Sequence, residues 1–201
     1  MKMVNTLDIL SGGRAYLGIG AAWYEEEAKG FGIPYPPTAE RFELLEENLQ
    51  LAKALWAGDE TSFAGKHVSA PAITNNPRPL STPHPRIMVG GTGPNKTLRM
   101  VAQYADACNI GDWVGAENMR KAIDDLKRHC DALGRDYATV EKTSLGTVHL
   151  SGDDTAASVI DRIKGLAAMG FTHAIFNMPD VYTITPLETF ASEIIPAVAE
   201  L

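Results

Sequence analysis

The sequence predicts an α/β fold, an incomplete TIM (β/α)8-type barrel of about five parallel strand-helix units, on three observations. Strand-like and helix-like segments alternate from one end of the chain to the other. Most of the candidate strands are nearly uniformly apolar, as strands covered on both faces are. The 201 residues fall short of the roughly 250 that a complete eight-unit barrel occupies. An open, doubly wound five-stranded sheet is the rival. It calls for a close G-x-G-x-x-G turn after the first strand, which Gly18, Gly20, Ala21, Ala22, Trp23 does not supply.

Arg14 leads into the first strand, Ala15 to Gly20, read as buried. Gly18 and Gly20 leave its exit bare enough for a flat ligand, with Trp23 placed to cover it. Glu25, Glu26 and Glu27 read as a solvated helix start favoured by the helix dipole. Phe42, Leu45, Leu49, Ala52 and Trp56 then recur at helical spacing after a cap at Thr38, and Gly58 closes the run. Ser62 to Ser69, centred on Gly65, reads as a hairpin, and Pro77, Pro79, Pro83 and Pro85 keep the next segment extended.

The second strand is Arg86 to Gly90, followed by a helix starting at Pro94 with Leu98, Val101, Ala102 and Ala105 on its apolar stripe. Ala107 to Ile110 is the third strand, and Met119, Ile123, Leu126, Cys130 and Leu133 mark a helix ended by Gly134. The fourth strand spans Thr143 to Leu150. Asp153 or Asp154 caps a helix carrying Val159, Ile163 and Leu166 up to Gly170. His173 to Met178 is the last strand. Thr185 to Glu188 forms a capping box for a helix with Phe190, Ile194, Val198 and Leu201 on one face, kinked by Pro196. The whole chain, 1–201, reads as one domain.

A formal charge of −7 argues against nucleic acid or an anionic membrane as partner. The apolar stretches are too short to span a membrane, and no targeting segment opens the chain, so a cytoplasmic protein is expected. Cys108 and Cys130 are too few for a disulfide framework and read as buried reduced thiols.

Two glycine-bearing turns carry the candidate chemistry. Gly90, Gly91, Thr92, Gly93, Pro94 leaves a strand and enters a helix, where unpaired amides and the helix dipole hold a phosphate without lysine or arginine. The Thr92 hydroxyl adds a donor. The plainer alternative is that these glycines serve tight geometry alone. For Gly18 to Trp23 the plainer alternative is relief of crowding, with Trp23 a core aromatic. The histidines, His67, His84, His129, His149 and His173, show no metal-ligand spacing. Ser11 and Ser144 lie in no nucleophile elbow, and no carboxylate pair suggests an acid and a base.

Leu7 to Arg14, followed by Leu17 to Trp23, resembles the middle of the bacterial luciferase-like monooxygenases, and more closely their coenzyme F420-dependent branch. Arg41, Phe42, Glu46, Glu47, the Phe63, Gly65, Lys66, His67 hairpin, Asn76 to Pro79, Pro85 to Gly91 and Tyr104 to Asn109 match in the same order. The resemblance implies an eight-stranded barrel with the tricyclic ring at the carboxyl ends of the strands. It implies an oxidoreductase passing hydride between F420, or alternatively FMN, and an unidentified small organic substrate. It assigns Gly18, Gly20, Ala22 and Trp23 to the ring or substrate, Gly90, Gly91, Thr92 and Gly93 to the phosphate tail, and adds Asn109 to the cofactor site.

Two positions depart from the family pattern. Ala22 stands where glycine is more frequent, and Ala21 stands where sugar-phosphate-oxidising relatives carry glutamate. The first three strand-helix units are absent, so the chain is expected to begin in mid-fold and to self-associate, as a dimer, through its open edge. The alternative is a non-catalytic shortened barrel serving cofactor binding or dimerisation.

Overall fold

The computed structural model describes residues 1–58 and 60–201. In chain order the elements are α1 (Lys2–Ser11), β1 (Tyr16–Ile19), α2 (Glu25–Gly30), α3 (Thr38–Ala57), β2 (Glu60–Ala64), β3 (Ser69–Thr74), β4 (Arg86–Gly90), α4 (Thr97–Tyr104), β5 (Ala107–Gly111), α5 (Ala116–Ala132), β6 (Glu141–Thr147), α6 (Ala156–Ala168), β7 (His173–Asn177), α7 (Thr185–Thr189) and α8 (Ile195–Val198). The main sheet runs β1-β4-β5-β6-β7 with every neighbouring pair parallel, and β2-β3 is a separate antiparallel hairpin. This is half of a barrel, as the alternation of segments predicts.

Side chains alternate across the sheet. Ile87, Val89, Cys108 and Ile110 are fully buried in one cluster with Leu49 of α3, Leu98 and Val101 of α4 and Leu126 of α5. Each such aliphatic side chain contributes about 1.5–3 kcal/mol on burial. Met88, Gly90, Asn109 and Thr143 therefore face the concave side. At the amino ends of the strands Tyr16 donates to the Glu141 carboxylate at 2.7 Å, and Arg86 pairs with the same group.

The helices meet at polar joints. Glu46 of α3 accepts from both Arg99 Nη atoms of α4, at 2.9 and 2.7 Å, and from the Tyr104 hydroxyl at 3.2 Å. These bonds, Arg99's first, hold the Glu46 carboxyl below its ordinary pKa.

Several local expectations are corrected. β1 is half-buried instead of buried, because it is an edge strand with a neighbour on one side only. α3 begins at Thr38 with Pro37 before it; the Thr38 hydroxyl accepts from Arg41 at 3.2 Å and caps nothing. α4 starts at Thr97, three residues beyond Pro94, because the chain first turns through Pro94 to Lys96. β6 starts at Glu141 and ends at Thr147, ahead of the turn in which the Gly152 amide bonds the His149 carbonyl.

Thr155, and not Asp153 or Asp154, caps α6, forming a reciprocal box with Ser158. Asp154 is unavailable because its carboxylate accepts from the His149 amide at 2.8 Å. The Thr185 to Glu188 box does not form; Ile184 precedes α7 without a side-chain cap. A π-helical turn at Phe190–Ile194 precedes Pro196. Proline has no N–H for an α-helical bond and crowds the carbonyl four residues back, and a wider turn relieves both.

Among the described residues no helix is long and apolar enough to cross a membrane.

Candidate functional site

Both glycine-bearing turns open onto one cleft of about 860 Å³ at the carboxyl ends of β1, β4 and β5. Of the nominated residues, Gly18, Gly20, Ala22, Trp23, Gly90, Gly91 and Asn109 line it. Thr92 and Gly93 do not. The Gly93 carbonyl accepts from the Leu98 amide at 3.0 Å, and a Cβ there would lie 2.9 Å from the Thr97 hydroxyl, so Gly93 serves the tight turn.

The bare backbone is real at the two strand exits. A Cβ on Gly90 would meet no atom within 4 Å, and one on Gly20 would come no nearer than 3.9 Å to the Gly90 carbonyl. Side chains there would project into open space and fill the room a flat ligand needs. Gly91, at φ +120, turns the chain out of β4 while its amide bonds the Asn109 carbonyl at 2.9 Å.

Ala22 is the one non-glycine residue with positive φ, +59, among the described residues. Arg41 of α3 holds this turn, donating Nε to the Ala21 carbonyl at 2.9 Å and Nη1 to the Pro36 carbonyl at 2.9 Å. Trp23 is 86% exposed and stacks on Tyr24 with ring centroids 5.2 Å apart, which overturns its reading as a core aromatic.

Asn109 is oriented by a chain of hydrogen bonds. The Thr143 hydroxyl donates to the Cys108 carbonyl at 2.9 Å, so its oxygen accepts from Asn109 Nδ2 at 2.7 Å. That leaves Asn109 Oδ1 as an acceptor on the cleft wall. The Cys108 thiol, behind the wall, is pushed up to about 11 by burial and is no nucleophile at neutral pH.

Thr97, Phe42, Met88 and Trp113 line the cleft without having been nominated. Thr97 is the first residue of α4, 5% exposed, and its Cγ2 lies 3.3 Å from where a Gly91 Cβ would stand. A hydroxyl at the start of a helix beside the glycine turn was the signal, hidden by placing the helix start at Pro94. Trp113 packs its indole over Gly111, where any Cβ would collide with the ring.

The arrangement can hold a flat, anion-tailed molecule. Gly18, Gly20 and Gly90 give close approach, while the uncapped start of α4 with Thr97 offers amide and hydroxyl donors. Among the described residues no group of three or more His, Cys, Asp or Glu could hold a metal ion.

An uncharacterized protein of Mycobacterium tuberculosis is 29% identical over 182 residues, 89% of this chain and 58% of that protein. The chain therefore spans just under three-fifths of that relative's length. The F420-dependent glucose-6-phosphate dehydrogenase of Kineococcus radiotolerans is 28% identical over 168 residues, covering 83% and 48%. The FMNH2-dependent dimethylsulfone monooxygenase of Pseudomonas putida is 28% identical over 138 residues, covering 66% and 36%. Among solved structures, an F420-dependent secondary alcohol dehydrogenase in complex with an F420-acetone adduct superposes with TM-score 0.81 at 18% identity, over 98% of this chain and 73% of that one. The coenzyme F420-dependent tetrahydromethanopterin reductase of Methanopyrus kandleri gives 0.72 at 16%, over 96% and 77%. These likenesses establish the half-barrel as part of a barrel fold. The family model for luciferase-like monooxygenases matches residues 1–176, and the chain belongs to that family.

Proposed function

We propose that the chain forms the cofactor side of an oxidoreductase site, taking F420 in preference to FMN, with a small organic molecule as substrate. The observation that carries this reading is the opening of both glycine turns, with Asn109 between them and Trp23 at the rim, onto a single cleft. Relatives named for F420 and for FMNH2 support the choice of cofactor class. When bound, such a group supplies hydride to a substrate or accepts it, and in the flavin form it activates oxygen.

The protein's part is position and exclusion of water. Gly18, Gly20, Ala22 and Trp23 flank the ring and substrate. The turn at Gly90 and Gly91, with the amides at the uncapped start of α4 and the Thr97 hydroxyl, receives the charged tail. Asn109 Oδ1 offers one acceptor to a ligand N–H or O–H. The indole of Trp23 supplies an apolar cover.

Titration of the folded protein with F420 and, separately, FMN tests the reading. Saturable change in ring absorbance or fluorescence with F420, and a weaker one with FMN, is expected. No perturbation by either overturns it.

A second reading, a cofactor-binding or dimerising module without turnover, is favoured by the open edge at β1. Hydride transfer by the 201-residue chain alone excludes it. Both readings include self-association through the open edge. Sizing at several concentrations checks this, and a strictly monomeric, cooperatively folding chain contradicts it.

A further inference from the structure

The wall of the cleft on the β1 side consists of backbone and apolar side chains, among them Ala21, Ala22, Trp23, Phe42 and Met88. Arg41, the guanidinium beside this wall, is committed elsewhere. Besides the Ala21 and Pro36 carbonyls it donates Nη2 to the Thr38 hydroxyl at 3.2 Å, and its Cζ lies 4.0 Å from the Tyr35 ring centroid. Lys96 belongs to the other end, immediately before Thr97 at the start of α4, with its Nζ 5.2 Å from the Phe42 ring centroid. The helix-start amides thus gather at the tail end, while no charged side chain is among the residues lining the Trp23 end.

Resting on the cofactor reading above, we propose that the substrate is an uncharged, largely apolar organic molecule seated against the Trp23 indole, and that phosphorylated or carboxylated substrates are rejected there. Two physical terms act in the same direction. An anion moved into this part of the cleft gives up hydration and meets no charged side chain on the lining wall to replace it. An uncharged molecule covers the indole, which is 86% exposed, and gains apolar contact with Met88 and Phe42. Ala21, sited in the turn itself, adds a methyl group to this wall and no charge.

The test uses three probes with one ring and different charge: cyclohexanol, cyclohexanecarboxylate and cyclohexyl phosphate. Each is titrated into the chain by ligand-observed NMR, with inorganic phosphate in excess to occupy the anion-binding turn before α4. Cyclohexanol is expected to bind at least about tenfold more tightly than either anion. Trp23→Ala, at an exposed position and with its fold checked by circular dichroism, is expected to weaken cyclohexanol by about two- to tenfold and to leave the anions unaffected. Binding of either anion as tightly as cyclohexanol overturns the proposal, as does an unchanged cyclohexanol affinity in Trp23→Ala. Failure of the cofactor reading registers separately, as loss of the ring signal in the F420 and FMN titrations, which use none of these probes.

Discussion

The Glu47 carboxylate fills the space that a side chain on Gly65 would need. It accepts from the backbone amides of Lys66 at 2.7 Å, His67 at 2.9 Å and Val68 at 2.7 Å, fastening the β2-β3 turn to α3. A methyl group at Gly65 must therefore displace the acceptor of three amides. Gly65→Ala is expected to destabilise by about 1–3 kcal/mol, a fall of several degrees in Tm for a chain of this size. In a Glu47→Ala background the same change costs less, because the displaced group is gone; urea unfolding of the double-mutant cycle measures the difference.

The same joint carries a pH dependence through Glu43. Its carboxyl is lowered from 4.5 to about 2, first by the hydrogen bond from Lys66 Nζ at 2.7 Å and next by that with His67 Nε2 at 2.6 Å. A carboxyl whose folded pKa is depressed stabilises fully above its unfolded pKa, and the contribution fades as pH falls through the folded value. The window here runs from 4.5 down to about 2. Thermal unfolding of wild type and Glu43→Gln should differ by a constant amount above that window and converge towards its acid end. Because the pair is exposed to solvent, the difference should shrink in molar salt.

Ala22, at φ +59, occupies a conformation that costs an L-residue about 1–2 kcal/mol. Glycine removes that cost but loses about 0.5–1 kcal/mol through the greater freedom of its unfolded chain. Ala22→Gly is therefore expected to be neutral or to stabilise by up to about 1.5 kcal/mol, and Ala22→Val to destabilise, since β-branched residues tolerate positive φ worst. Urea midpoints for the two variants check the order.

What was legible in the sequence was the part encoded locally. Arg86–Gly90 emerges with the bounds read from its apolar run, and Gly134 and Gly170, at φ +63 and +87, stand where the helical patterns stop. Failures occur where a distant partner decides. Asp154 is as good a cap as Thr155 until the His149 amide claims it. Leu17 and Ile19 look the same in an edge strand as in a central one, and only the sheet order shows that β1 has a single neighbour. In the site, glycines and Trp23 announce themselves, whereas Thr97, Phe42 and Met88 join the cleft through helix placement and strand register.

The two thiols give a test of burial. Cys108 is 0% exposed and pushed up to about 11 by desolvation, and Cys130, also 0% exposed, is raised for the same reason. Neither should react with a thiol reagent near pH 8 in the folded protein, and both should react in denaturant. Rapid titration of one thiol under native conditions would show that α5 opens from the sheet.

Asn5 binds the amino-terminal helix to the rest of the fold. Its Nδ2 donates to Asn75 Oδ1 at 2.7 Å and to the Pro77 carbonyl at 3.1 Å, its Oδ1 accepts from Trp56 Nε1 at 2.7 Å, and Asn75 Nδ2 donates to the Leu55 carbonyl at 2.9 Å. Asn5, Trp56 and Asn75 are at most 5% exposed, so water cannot replace a lost partner. Asn5→Leu strands the Trp56 N–H and Asn75 Oδ1 together, each costing about 1–3 kcal/mol. Trp56→Phe strands only Asn5 Oδ1, although it also trades an indole for a smaller ring that stacks differently on His84, now 5.5 Å away. Asn5→Leu is therefore expected to release α1 before the sheet melts. Hydrogen exchange should show protection lost in Lys2–Ser11 while β4 and β5 remain protected. Uniform loss of protection across both regions would mean that α1 and the sheet unfold as one unit.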